Sequence, residues 1–193
     1  MDLKSLQDAA ASCTRCELHK GRNKPVFAKG NSKSKIMVCG MVPAGDENKV
    51  GLPFVGRAGQ LLDTILAELG WTLDDVYVTN LGKCYLAAGL PLKSNWIDSC
   101  LPYLIAQIGA IKPKVIITLG KDASVVLLAE DPKKALGKIR QQRVYDYAPD
   151  IRVIPTYHPS YLLRGGGVNH KQYGKVKEDF ELAKFIWEDK QNG

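Results

Sequence analysis

No stretch of this chain approaches the roughly 20 consecutive apolar residues that a membrane span needs. The opening residues, MDLKSLQDAAASC, interleave polar with apolar side chains and contain no apolar signal-peptide core. No membrane role is therefore expected, and the expected location is cytoplasmic. Internal repeats, long linkers and low-complexity tracts are missing too; three consecutive glycines at 165–167 are a local flexible spot only. With 193 residues and no shift in composition, residues 1–193 should fold as a single domain. No G-x-G-x-x-G occurs, since Gly120 stands alone after an apolar run, so a nicotinamide or flavin site has no fingerprint here. Cysteine is sparse and odd in number, five in all. Complete internal pairing is excluded, and in a cytoplasmic chain metal binding is a better first expectation than a disulfide framework.

What is present is an excess of positive charge. The chain has 27 Lys and Arg against 20 Asp and Glu, a formal net charge of +7. A basic surface attracts polyanions, and neutralised phosphates release counterions, so nucleic acid is a sensible partner.

Four short apolar runs suit buried strands: residues 35–40 (KIMVCG), 76–80 (VYVTN), 114–120 (KVIITLG) and 152–157 (RVIPTY). Between them lie helical stripes over residues 59–69, 96–111 and 123–128, and residues 173–187 supply a closing helix. Strand–helix alternation of this kind predicts a three-layer α/β/α fold around a central, mainly parallel four-stranded sheet. Ligands in such folds sit beyond the carboxyl ends of the strands.

Cys13 and Cys16 form a CxxC pair, and Cys84 and Cys100 follow, each placed after an element that could return it to the first pair. Four thiolates suit either a tetrahedral zinc ion or a [4Fe–4S] cluster, and the spacing does not choose between them. Cys39 lies within the first apolar strand and reads as a small core residue.

The loops after the strands are rich in glycine and proline: Gly40-Met41-Val42-Pro43-Ala44-Gly45-Asp46-Glu47, then Gly51 to Gln60 (GLPFVGRAGQ). Such loops let backbone approach a ligand closely. Asn80 ends the second strand, and His158-Pro159-Ser160-Tyr161-Leu162-Leu163-Arg164 follows the last. Together with the CxxC pair, GxPFVGRAGQLLD, TN-x-x-KC and HPSYLLR, this set resembles the iron–sulfur (family 4) uracil-DNA glycosylases along nearly the whole chain.

The resemblance implies base-excision repair: hydrolysis of the N-glycosidic bond of deoxyuridine in DNA, with free uracil and an abasic site as products. It implies a [4Fe–4S] cluster on Cys13, Cys16, Cys84 and Cys100. The target nucleotide must leave the base stack to reach the catalyst. Phe54 would then stack on the uracil, and Asn80 would accept from N3–H and donate to O4, which separates uracil from cytosine. Backbone N–H groups at Met41 and Val42 would bind O2, and Glu47 would stand at the C5 edge against thymine's methyl group. His158 would face O2 as charge develops on the departing base. Leu162 would wedge into the vacated stack, and Arg164, with Lys171 and Lys175, would contact phosphates. A monomer acting on uracil-containing DNA is expected.

The chain departs from the family's GEAPG motif: Met41 replaces its glutamate, Val42 a small residue and Ala44 a glycine. Position 42 is where the resemblance puts the attacking water, and a branched valine narrows that space. Two alternatives follow, a glycosylase for another deaminated base such as hypoxanthine or xanthine, and a non-catalytic protein that binds damaged or single-stranded DNA. One branch of the superfamily forms a covalent product adduct through a histidine in a basic loop before the last strand. Residues 138–147 (KIRQQRVYDY) contain none, so that route is not expected.

Overall fold

The computed structural model describes residues 2–189. Its sheet has six strands rather than the four expected: β1 (Lys29–Gly30), β2 (Ile36–Gly40), β3 (Tyr77–Asn80), β4 (Val115–Leu119), β5 (Tyr145–Ala148) and β6 (Ile151–Thr156), in the order β1-β3-β2-β4-β6-β5. The inner four run parallel, and the two edge strands pair antiparallel with β3 and β6. The inner strands are the four apolar runs, because a strand covered on both faces must be apolar on both. The edge strands escaped notice for the opposite reason. β1 has two residues, and β5 (YDYA) is only partly buried and carries an exposed aspartate.

The helices are α1 (Leu3–Ala11), α2 (Gly45–Val50), α3 (Arg57–Glu68), α4 (Ser94–Ile111), α5 (Lys121–Leu128), α6 (Leu136–Ile139), α7 (Pro159–Leu163) and α8 (Tyr173–Asp189). Period-2 alternation along the strands divides the core into two layers. Ile36, Val38, Val78, Ile117 and Ile154 face Leu62 and Ile65 of α3 and Val176 and Phe180 of α8. Met37, Cys39, Tyr77, Ile116 and Val153 face Leu104 and Ile108 of α4 and Leu127 of α5. Cys39 is buried, and desolvation pushes its thiol up to about 12, which makes it an inert core residue. On the α4 side, α1 is fastened by Leu6 and Ala10 against Phe27, and its N-cap Asp2 accepts from the Ser5 N–H at 2.8 Å. Among the described residues no helix is long and apolar enough to cross a membrane.

From β2 the chain steps to β3 on one side, then crosses to β4 on the other. This reversal of strand order opens a crevice above the carboxyl ends of β2, β3 and β4. Gly40 and Asn80 are register partners there, and Gly120 follows β4 with its N–H donating to the Thr156 carbonyl at 2.8 Å.

Candidate active site

Gly40 closes β2 where two side chains meet above it. A Cβ at this position would lie 2.3 Å from Asn80 Oδ1 and 2.6 Å from Phe54 Cζ. Glycine is what lets the amide and the ring share that space. Asn80 is buried, 2% exposed, and its side-chain amide has no hydrogen-bond partner among the described residues. It lines a cavity of about 750 Å³.

Phe54 reaches the same cavity from a strained backbone, with φ at +53° in the left-handed region. Three features hold it. Lys29 Nζ donates to its carbonyl at 2.9 Å, and the backbone of Gly59 in α3 packs directly on that carbonyl. The third is Glu47 of α2, whose Oε1 accepts from the N–H groups of Val55 and Gly56, each at 3.0 Å, while Oε2 accepts from the Ala44 N–H at 3.1 Å. Both oxygens of this buried carboxylate are committed to shaping the loop.

His158 caps α7 and lines the same cavity, its ring centroid 5.8 Å from that of Phe54. Its Nδ1 accepts from the Ser160 backbone N–H at 3.0 Å and lies 2.8 Å from Ser160 Oγ. An Nδ1 that accepts from an amide carries no hydrogen, so the ring hydrogen sits on Nε2. Burial pushes the imidazole pKa down to about 4, the Arg164 guanidinium adding to this and Glu47 opposing it. The neutral ring is thereby fixed as an Nε2–H donor.

Met41, Val42 and Glu47 also line the cavity, and Arg164 stands exposed at its edge, with its guanidinium carbon 5.9 Å from the Tyr161 ring centroid. One methyl of Val42 rests near Gly82, where a Cβ would come within 2.8 Å of it. Lys171 and Lys175 are exposed on the surface. Leu162 is the exception and corrects the expectation of a wedge. It is 0% exposed and belongs to the core beneath α3 and α8, because α7 turns that side of the helix inward. Of the three glycines after Arg164, Gly165 is closely packed. A Cβ on Gly165 would lie 2.2 Å from His170 Cδ2, and that imidazole packs edge-on to Tyr161 at 4.8 Å.

Some wall residues carried no motif. Residues 86–90, Lys121, Asp122 and Tyr157 all line the cavity, as does Tyr161 from within the HPSYLLR motif. Ser160 had a signal, its place two residues after His158, within hydrogen-bond reach of the capping ring.

Cys13, Cys16, Cys84 and Cys100 line a second, smaller cavity, together with Arg22 and Lys83. Arg22 donates to Cys84 Sγ at 3.0 Å, and the Lys83 backbone N–H donates to Cys100 Sγ at 3.2 Å. Burial pushes both of those thiols up. Among the described residues no three thiol, imidazole or carboxylate groups gather tightly enough to hold a single metal ion.

Residues 27–181 match the family model described as the uracil DNA glycosylase superfamily. The chain is 38% identical over 170 residues to a type-4 uracil-DNA glycosylase of Pyrobaculum aerophilum, covering 85% of this chain and 86% of that protein. It is 37% identical to the type-4 uracil-DNA glycosylase of Thermotoga maritima, over 93% and 91% of the two chains. The type-4 uracil-DNA glycosylase of Saccharolobus solfataricus is likewise 37% identical, over 92% and 86%.

Proposed function

The chain belongs to the uracil DNA glycosylase superfamily, and from that premise we propose that it excises uracil from DNA by hydrolysing the N-glycosidic bond, releasing the base and leaving an abasic site. The observation that carries this reading is the convergence of Phe54, Asn80 and His158, from two loops and the carboxyl end of β3, on one cavity.

Each group has a task that suits its surroundings. The flipped base lies against the Phe54 ring, which replaces the stacking lost in the duplex. Asn80, whose amide has no hydrogen-bond partner among the described residues, accepts from N3–H and donates to O4, and the same amide meets cytosine with mismatched polarity. As the C1′–N1 bond breaks, its electron pair moves into the base and charge grows on O2. His158 Nε2–H is a neutral donor aimed at that charge, and Ser160 keeps the tautomer in place before the reaction begins. Water supplies hydroxide to C1′ and the proton that the departing uracil takes up. Arg164 contacts the phosphates flanking the extruded nucleotide.

The four cysteines suit a [4Fe–4S] cluster. They surround one cavity, and two of their sulfurs accept hydrogen bonds from protein donors. When bound, the cluster would supply iron–thiolate bonds that tie the N-terminal segment to the β3–α4 connection through Cys84 and to α4 through Cys100.

The test is base release from single- and double-stranded oligonucleotides carrying uracil, hypoxanthine or xanthine, followed by alkaline cleavage. Scission at uracil is expected. Intact strands under conditions where the protein binds the DNA would overturn the reading in favour of a binding protein, and scission only at a purine would reassign the substrate.

A further inference from the structure

Lys83 has no part in the chemistry above, yet it is one of the largest buried side chains among the described residues, 2% exposed. A lysine nitrogen leaves water only where acceptors meet it. Here Nζ donates to Thr79 Oγ1 at 2.8 Å and to the main-chain carbonyl of Asn80, and it stands over the Phe27 ring at 5.9 Å. Thr79 Oγ1 is itself anchored, donating to the Phe27 carbonyl at 2.8 Å. The Lys83 main chain is held on both sides of its Cα. Its N–H donates to Cys100 Sγ at 3.2 Å, and its carbonyl accepts from the Val26 N–H at 2.8 Å. Residues 80–83 thus form a clamped turn, with a buried amine reaching back beneath the residue whose amide faces the base.

We propose that Lys83 is a positioning residue for base selection: its buried amino group fixes the Asn80 carbonyl and so aims the Asn80 amide into the cavity. The inference rests on the reading of Asn80 as the base-selecting group. Two acceptors on consecutive residues, Thr79 and Asn80, set both the position and the rotation of the end of β3. Among the described residues the Asn80 side-chain amide has no hydrogen-bond partner, so its direction is set by its backbone and by its packing above Gly40. The sulfur and carbonyl bonds at Lys83 supply the fixed point from which the amine acts.

The test is a double-mutant cycle on the full-length, metal-loaded protein. Lys83→Met keeps length and apolar bulk but removes every side-chain donor. Single-turnover uracil release is measured with enzyme in excess for Lys83→Met, Asn80→Ala and the double variant. Anisotropy with non-cleavable 2′-fluoro strands gives the preference for deoxyuridine over deoxycytidine. Lys83→Met is expected to lower both release and preference on the order of 10-fold where Asn80 is present, and by about 2-fold or less in the Asn80→Ala background. Equal losses in both backgrounds describe a merely structural lysine and overturn the proposal. Should Lys83→Met fail to fold, Thr79→Val removes one acceptor while leaving the lysine in place. It should show a smaller loss with the same dependence on Asn80, and independence from Asn80 again overturns the proposal. Unchanged release and preference in Asn80→Ala alone would defeat the reading of Asn80, a result separate from additivity in the cycle.

Discussion

Gly59 packs against the carbonyl of Phe54 so closely that a Cβ at residue 59 would lie 1.9 Å from that oxygen. The first turn of α3 and the strained residue of the base-stacking loop therefore share a surface with no room for a side chain. In an ordinary helix interior, alanine is about 1 kcal/mol better than glycine. Here the sign should reverse. Gly59→Ala is expected to destabilise the protein by about 1–3 kcal/mol through forced displacement of the loop. Uracil release should fall further than folding alone explains. Denaturant unfolding beside single-turnover kinetics checks this, and a variant as stable as the parent would show that the loop yields freely.

Glu47 offers a second test, because its two oxygens accept three backbone N–H groups. Glutamine has the same size but turns an NH₂ toward amide donors, whichever way the group is flipped. Glu47→Gln should therefore cost about 1–3 kcal/mol, the usual penalty for leaving a buried donor unmet. If the carboxylate mainly shapes the loop, the preference for uracil over thymine should survive in the folded fraction. A stable Glu47→Gln protein that attacks thymine would instead place the residue's work at the base edge.

Much of this was legible in the residues, for identifiable reasons. Strands β2, β3, β4 and β6 announce themselves because burial on both faces demands apolar runs, and the carboxyl ends of such strands, with the loops after them, are where Phe54, Asn80 and His158 fall. The edges were not legible: β1 is too short for a pattern, and the exposed side of β5 admits Asp146. The structural work of Glu47 was hidden because two of its partners, Val55 and Gly56, lie across a loop whose path no periodicity reveals. Leu162 was misread for a related reason. A helix of five residues shows too little repeat to say which side faces the core.

That correction carries its own prediction. A wedge residue lost to alanine weakens DNA binding and leaves folding intact, whereas a core leucine does the reverse. Leu162→Ala is expected to cost about 2–5 kcal/mol of stability, as buried leucine truncations do. Affinity for abasic-site DNA should hold near the parent value at temperatures where the variant is folded. Unfolding curves and anisotropy titrations separate the two. Retained stability with a large loss of affinity would restore the wedge.

The pH profile tests the tautomer assigned to His158. A free imidazole titrates near 6.5, but burial and Arg164 push this one down to about 4. Between those values the folded ring stays neutral while an unfolded one takes up a proton. The unfolded state therefore binds more protons across this window. The histidine's contribution to stability is full above about 6.5 and is lost as pH falls toward 4. Activity should follow the folded value. Uracil release by the neutral donor should persist unaltered through pH 6.5 and decline only as pH approaches 4, when protonation of Nδ1 opposes the Ser160 N–H. His158→Ala should lower single-turnover release by an amount equivalent to about 2–4 kcal/mol and abolish this acid limb. Single-turnover rates from pH 4 to 8 on both proteins would decide it. A half-maximal rate near 6.5 in the parent would mean that the ring is an ordinary solvated histidine, without the fixed Nε2–H on which the proposed stabilisation of uracil O2 depends.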